Sequence, residues 1–295
     1  GISQRILSLK TQEEEQQSAI DQAQKEYDTI TKAIQETREE GSRLTKEIHA
    51  IQETLKQQNT QLEKEQTSYH REASRLESLR NITERYDGYG NSIRKVMANK
   101  DKNPGLIGVV ADIIKVDKEY EIAIETALGG SIQNIVTDNE DTAKKMISFL
   151  KTNKFGRATF LPLTSMRGGG GIRNEEALKE PGVIGTADKL VYVEARFTGL
   201  AEQLLGRTLV VRTIDDGILI ARKYKQSIRL VTLEGELINP GGSMTGGAFK
   251  NSSNLLSRRR EIEEFEKTVA MLKKDMDAAE ADVSRIKSER AGCYN

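Results

Sequence analysis

Tryptophan is missing from the 295 residues, aromatic residues make up 5%, and there is a single cysteine, Cys293. One thiol excludes an internal disulfide and every paired-cysteine zinc site. Scarce aromatics leave few platforms for stacking on bases, so any nucleic-acid contact should rest on backbone electrostatics. No apolar run approaches the roughly 20 residues that cross a bilayer, and the first residues do not resemble a signal peptide. Both absences lead to the expectation of a cytosolic protein without a membrane partner. Net charge is also missing, with 45 basic and 45 acidic residues.

Helix breakers are few and confined to the middle. All four prolines (Pro104, Pro162, Pro181, Pro240) and all glycines except Gly1, Gly41 and Gly292 lie between Gly88 and Gly247. Both flanks are rich in Glu, Gln, Lys, Ala, Leu and Ile, the composition of solvated helices held by a narrow apolar seam. Charge follows the same division. Residues 1 to 84 carry 12 basic and 16 acidic side chains, whereas residues 85 to 250 carry 24 and 20, a mildly basic centre that permits contact with a polyanion.

From Ile6 to Leu79 seam positions recur at alternating three- and four-residue steps over eleven heptads. One register holds Ile6, Ile20, Tyr27, Ile34, Ile48, Leu55, Leu62, Tyr69 and Leu76, with Glu13 and Gly41 as exceptions. The other holds Leu9, Ala23, Ile30, Leu44, Ile51 and Leu79 among polar residues. Leu255, Ile262, Phe265, Val269, Leu272, Met276, Ala279, Val283 and Ile286 repeat the pattern near the other end. This periodicity predicts two coiled-coil segments that fold back on each other as an antiparallel intramolecular pair, leaving residues 1 to 41 as an overhang. His49 and His70 follow seam positions and should face solvent.

Between them, β-rich runs alternate with amphipathic ones, which predicts an α/β (α+β) globule. Expected strands are Gly108 to Ile114, Ile132 to Val136, Arg157 to Leu161, Leu190 to Val193, Thr208 to Arg212 and Ile228 to Thr232. Expected helices are Lys118 to Leu128, Glu140 to Thr152, Thr198 to Leu205 and Asp215 to Tyr224. The expected division is a coiled-coil arm over 1 to 80, a subdomain over 81 to 165, a glycine-rich linker over 166 to 182, a second subdomain over 183 to 254 and a second arm over 255 to 295. Gly168 to Gly171 make that linker flexible.

In YEIAIETALGG (Tyr120 to Gly130) the face of Ile122, Ala123 and Leu128 reads as core, with Gly129 as the C-terminal cap. FGRATFLPL (Phe155 to Leu163) reads as a buried strand, with Arg157 either structural or a phosphate contact. VTLEGELINPGGSMTGG (Val231 to Gly247) must turn sharply and offer backbone without side chains at Gly241, Gly242, Gly246 and Gly247. A phosphate-cradling loop, an internal turn and a surface for close backbone approach are the three readings. The first lacks its lysine and hydroxyl, since Ala248 and Phe249 stand there. Arg258, Arg259 and Arg260 read as a solvated charge run or, with Lys144, Lys145, Lys151, Lys154 and Lys250, as a phosphate-binding surface.

These four segments, in this order and spacing, resemble the hinge of bacterial SMC (structural maintenance of chromosomes) proteins over roughly residues 85 to 262. The resemblance implies a two-subdomain hinge globule flanked by coiled coil and a two-fold homodimer with the four glycines at its contacts. It also implies DNA binding near the junction of hinge and coil, with single strands often favoured, and a place in the bacterial cytoplasm on the nucleoid. The family's ATP-binding heads have no counterpart motif here, so no catalytic activity and no cofactor are expected of this chain. The CxxC that joins the coils of zinc-hook relatives is absent as well. A purely mechanical dimerising tether that ignores DNA is the competing reading, and a nucleotide-binding enzyme resting on the glycine loop is a third.

Overall fold

The computed structural model describes residues 1–249 and 255–294. It divides into two compact units, one of Gly1–His70 with Met271–Asn295 and one of Arg71–Ala270.

The first unit is built from α1 (Ile2–Glu84) and from the last helix among the described residues, Leu255–Tyr294. Its core is a small apolar cluster in which Leu55, Val283 and Ile286 are buried and Ile51 and Leu62 pack alongside. These are predicted seam positions from both segments, so the heptads pair within one chain. Every residue from 1 to 43 is exposed, the first half-buried one being Leu44. The expected overhang is therefore seen, and its seam residues Ile6, Leu9, Ile20, Tyr27, Ile30 and Ile34 stand in solvent.

The second unit is the globule. Its elements after α1 are α2 (Asn91–Met97), β1 (Leu106–Val109), α3 (Val110–Ile113), β2 (Lys115–Val116), α4 (Glu121–Leu128), β3 (Ile135–Thr137), α5 (Glu140–Asn153), β4 (Phe160–Pro162), β5 (Val183–Thr186), β6 (Val191–Tyr192), α6 (Thr198–Leu205), β7 (Thr208–Val211), α7 (Ile214–Lys223), β8 (Arg229–Thr232), β9 (Leu237–Ile238), β10 (Met244–Thr245) and the start of α8 (Leu255–Tyr294). The described residues form three sheets, in the orders β1-β3-β4, β10-β9-β8-β7-β5 and β2-β6.

The five-stranded sheet is covered on both faces. Parallel β7 and β8 read as continuous apolar runs for that reason. Leu209, Val211 and Leu230 join Ile220 and Ala221 of α7 in one cluster, while Val210 and Val231 face the larger core of Ala123, Ile124, Leu200 and Leu205. Burying each such side chain contributes about 1.5–3 kcal/mol. Gly217 lets α7 lie close, since a Cβ there would come within 3.2 Å of Ile238.

Several expectations are corrected. The strand expected over Gly108 to Ile114 stops at Val109, where the Asp112 carboxylate accepts from the Val109 amide at 3.2 Å and starts the short helix α3. Ile122 is 44% exposed, and Ile124 takes its place in the core. The FGRATFLPL strand is short, half-buried and at a sheet edge. The start of the glycine run packs on α6, where a Cβ on Gly199 would sit 2.4 Å from the Met166 carbonyl and Gly168 lies against the same helix, whereas beside Gly170 nothing described lies within 4 Å.

Candidate dimer interface and basic surface

The glycine segment forms a hairpin at one end of the five-stranded sheet. Asn239 to Gly242 is a tight turn, with the Gly242 amide donating to the Asn239 carbonyl at 2.9 Å. Pro240 occupies its second position and Gly241, at φ +91°, its third, the combination a type II turn requires. The Asn239 amide closes the loop on the Ser243 carbonyl at 2.9 Å, and β10 then pairs antiparallel with β9. Gly242 and Gly247 also have positive φ. Three of the four glycines are thus demanded by backbone conformation.

Conformation does not account for the openness of the site. Among the described residues nothing lies within 4 Å of where a Cβ would be on Gly241 or Gly247, and Met244 is 54% exposed. Because β10 ends the strand order, one side of its backbone has no strand partner among the described residues. An unpaired, glycine-lined edge of this kind is a template for another chain. β4 is likewise terminal in its sheet, entered through exposed Gly156 and Arg157, and the Arg157 carbonyl is held by the Ser92 hydroxyl at 2.7 Å.

The predicted basic residues divide into two groups. α5 is capped by Asn139, whose side chain accepts from the Thr142 amide at 3.1 Å. It buries Ala143, Met146 and Leu150 and leaves Lys144, Lys145 and Lys151 exposed. Lys154 ends it in the left-handed conformation. Lys144, Ile147, Lys151 and Lys154 fall at helical spacing on one face, and Lys145 reaches Asn103 Oδ1 at 2.8 Å.

Arg258, Arg259 and Arg260 are turned inward, which corrects their reading as a solvated run. Leu255, Leu256 and Ser257 are buried, so the first turns of α8 are embedded and the arginines after them meet protein. Arg258 stacks over the Tyr89 ring at 5.9 Å, and Arg259 donates to the Asp112 carbonyl. Arg260 pairs with Glu121 of α4, the two side chains being only 19% and 12% exposed, and with Glu264 at 2.9 Å. The hydrogen bond that Arg260 donates to Glu121 holds its guanidinium above its usual range. Beside them the Tyr86 hydroxyl donates to Asp112 at 2.8 Å, and burial pushes the Asp112 carboxyl up despite that bond. Lys250 lies outside the described residues. Sequence reasoning missed the exposed Met244 edge and a cleft lined by Arg173, Arg207 and Arg229.

Among the described residues there is no cluster of side chains suited to hold a metal and no helix long and apolar enough to cross a membrane.

Comparison with known proteins agrees with this architecture. A family model described as the SMC proteins flexible hinge domain matches residues 103–221. The chromosome partition protein Smc of Desulfitobacterium hafniense (strain Y51) is 41% identical over 216 residues, covering 72% of this chain and 17% of that protein. Its namesake in Bacillus subtilis (strain 168) is 36% identical over 217 residues, covering 72% and 18%. The chain thus spans less than a fifth of the length of these relatives. An asymmetric dimer of the Geobacillus stearothermophilus SMC hinge domain, known from its crystal structure, superposes with a TM-score of 0.74 at 32% identity, over 82% of this chain and 98% of that one. With that hinge matched over nearly its full length, and with the hinge model lying across its central globule, this chain belongs to the SMC flexible-hinge family.

Proposed function

We propose that the globule joins two copies of this chain, and with them two coiled-coil arms of a chromosome-partitioning SMC protein, through the open edge at β10. The observation that carries this is a strand edge with no strand partner among the described residues, next to Gly241 and Gly247, beside which no described atom lies within 4 Å of a Cβ position. A two-fold pair can set the β10 edge of one copy against the β4 edge of the other, twice, which removes both free edges at once. Such contacts need bare backbone on one side, and Gly241, Gly242, Gly246 and Gly247 supply it. The related Geobacillus stearothermophilus hinge is itself a dimer. Sedimentation velocity at micromolar concentration tests the reading: a dimer supports it, and a wild-type monomer removes it.

The second part of the proposal is contact with DNA through the exposed face of α5, with Lys144, Lys145, Lys151 and Lys154 as the cations and Lys250 assigned to the same surface from sequence. Arg258, Arg259 and Arg260 are left out, their guanidinium groups being engaged within the globule. Contact would be with phosphates and independent of base sequence. A hinge that joins arms without touching DNA is the alternative, and a filter-binding titration at low and moderate salt separates the two. Chemistry is assigned to neither. Where a longer SMC protein carries ATP-binding heads, hydrolysis belongs to those segments, and the proposed site of action is the bacterial nucleoid.

A further inference from the structure

A cleft of about 640 Å³ opens between the glycine run and the end of the five-stranded sheet, lined in part by Gly170, Gly171, Arg173, Arg207, Arg229 and Pro240. Its size falls within the range of small-ligand sites. No carboxylate lines it, and among the described residues none of its three arginines has an ion-pair partner. Three like charges gathered around one concavity repel each other unless an anion sits among them.

The fold places these groups deliberately close. Arg207 immediately precedes β7 and Arg229 opens β8, two parallel strands in which Thr208 is registered with Arg229. The two arginines therefore stand at the same ends of neighbouring strands, which run about 4.8 Å apart. Arg229 is pre-aimed: its Nη1 donates to the Ala127 carbonyl and to Thr208 Oγ1, both at 2.9 Å, leaving its Nε and Nη2 without an acceptor among the described residues. Partial burial without a counter-charge pulls its basicity down. Arg207 Nε donates to the Gly170 carbonyl at 3.3 Å, tying the glycine run to the same wall. The amides of Gly170 and Gly171 donate to no acceptor among the described residues, and with no Cβ they can be approached closely.

Planar guanidinium forks and free main-chain amides match a group with several acceptor oxygens and more than one negative charge. We propose that this cleft binds a phosphoryl group, presented either by a small free anion such as pyrophosphate or a nucleotide, or by the phosphodiester backbone of a nucleic-acid strand. The site rests neither on self-association through β10 nor on the lysines of α5.

Calorimetric titration of the whole chain at low salt with pyrophosphate, and separately with a short single-stranded oligonucleotide, tests it. Arg173 and Arg207 are both exposed, so Arg173→Ala and Arg207→Ala leave the core intact. Each is expected to weaken pyrophosphate binding about tenfold, and Arg207→Lys to restore the charge without the fork. Lys144→Ala with Lys151→Ala should leave pyrophosphate affinity as it was. If the oligonucleotide binds more tightly than pyrophosphate and loses affinity in the arginine variants, the natural source is a phosphodiester backbone. If only pyrophosphate responds to those variants, it is a free anion. No binding of either probe, or binding that Arg173→Ala combined with Arg207→Ala leaves unchanged, overturns the proposal.

Discussion

The amide of Gly241 donates to the carbonyl of Gln226 at 2.8 Å, bridging the glycine turn to the chain that leaves α7. Gln226 presents that carbonyl because it and Lys225 both sit in the left-handed region, at φ +56° and +57°, with no glycine to relieve the strain. The position of the candidate edge is thus set from behind by two residues in a costly conformation.

Lys225→Gly should raise stability by roughly 0.5 kcal/mol, because relief of left-handed strain outweighs the added freedom of the unfolded chain. Lys225 is exposed, so little else changes. Urea denaturation measures it, and a loss of stability would mean that the lysine side chain does something unaccounted for.

Met244→Lys combined with Gly246→Lys should convert a dimer to monomers while leaving the melting temperature of the globule nearly unaltered. Both positions are exposed, and Gly246 has no positive φ. Among the described residues a Cβ at Gly246 would meet only the flexible Glu236 side chain, at 3.2 Å. Sedimentation paired with circular dichroism separates lost association from lost folding. An unchanged dimer would move the interface elsewhere.

Arg260→Ala should cost roughly 2 kcal/mol, since it strands the Glu121 carboxylate in a site that is mostly shut off from water. DNA affinity should not change. Lys144→Ala and Lys151→Ala should do the reverse, sparing stability and lowering the salt dependence of DNA binding by about one unit per lost phosphate contact. Denaturation curves and salt-titrated filter binding, run on all three variants, check both halves.

Asp112 predicts a pH dependence. Burial raises its carboxyl in the folded state above the ordinary value near 4, so the folded chain holds this proton more tightly than the unfolded chain does. Its contribution therefore favours the fold at low pH and is lost as pH rises from about 4 through the raised value. Asp112→Asn keeps an oxygen to accept from the Tyr86 hydroxyl and the Val109 amide, both of which meet the same carboxylate oxygen. The variant should be more stable than wild type at neutral pH, and the advantage should shrink on acidification. Urea titrations at two pH values decide it.

Long, strongly patterned segments were legible in the sequence. Thr198 to Leu205 is helical over the predicted span, and α5 runs one residue beyond its prediction because Lys154 closes it. The overhang of α1 followed from counting heptads. Two-residue strands such as Lys115–Val116 and Met244–Thr245 have no period to detect, so the edge itself was visible only as glycines. The inward turn of Arg260 could not be read locally, because its partner Glu121 is 139 positions away. The arginine cleft was hidden for the same reason. It is assembled by strand register from residues scattered between 170 and 240.

Helix α4 is eight residues long and gripped at both ends. Glu121 in its first turn is clasped by Arg260 at the root of α8, and the Ala127 carbonyl near its last turn steadies Arg229 in the cleft. Any rearrangement of that short helix would therefore reach the root of α8 and the cleft together.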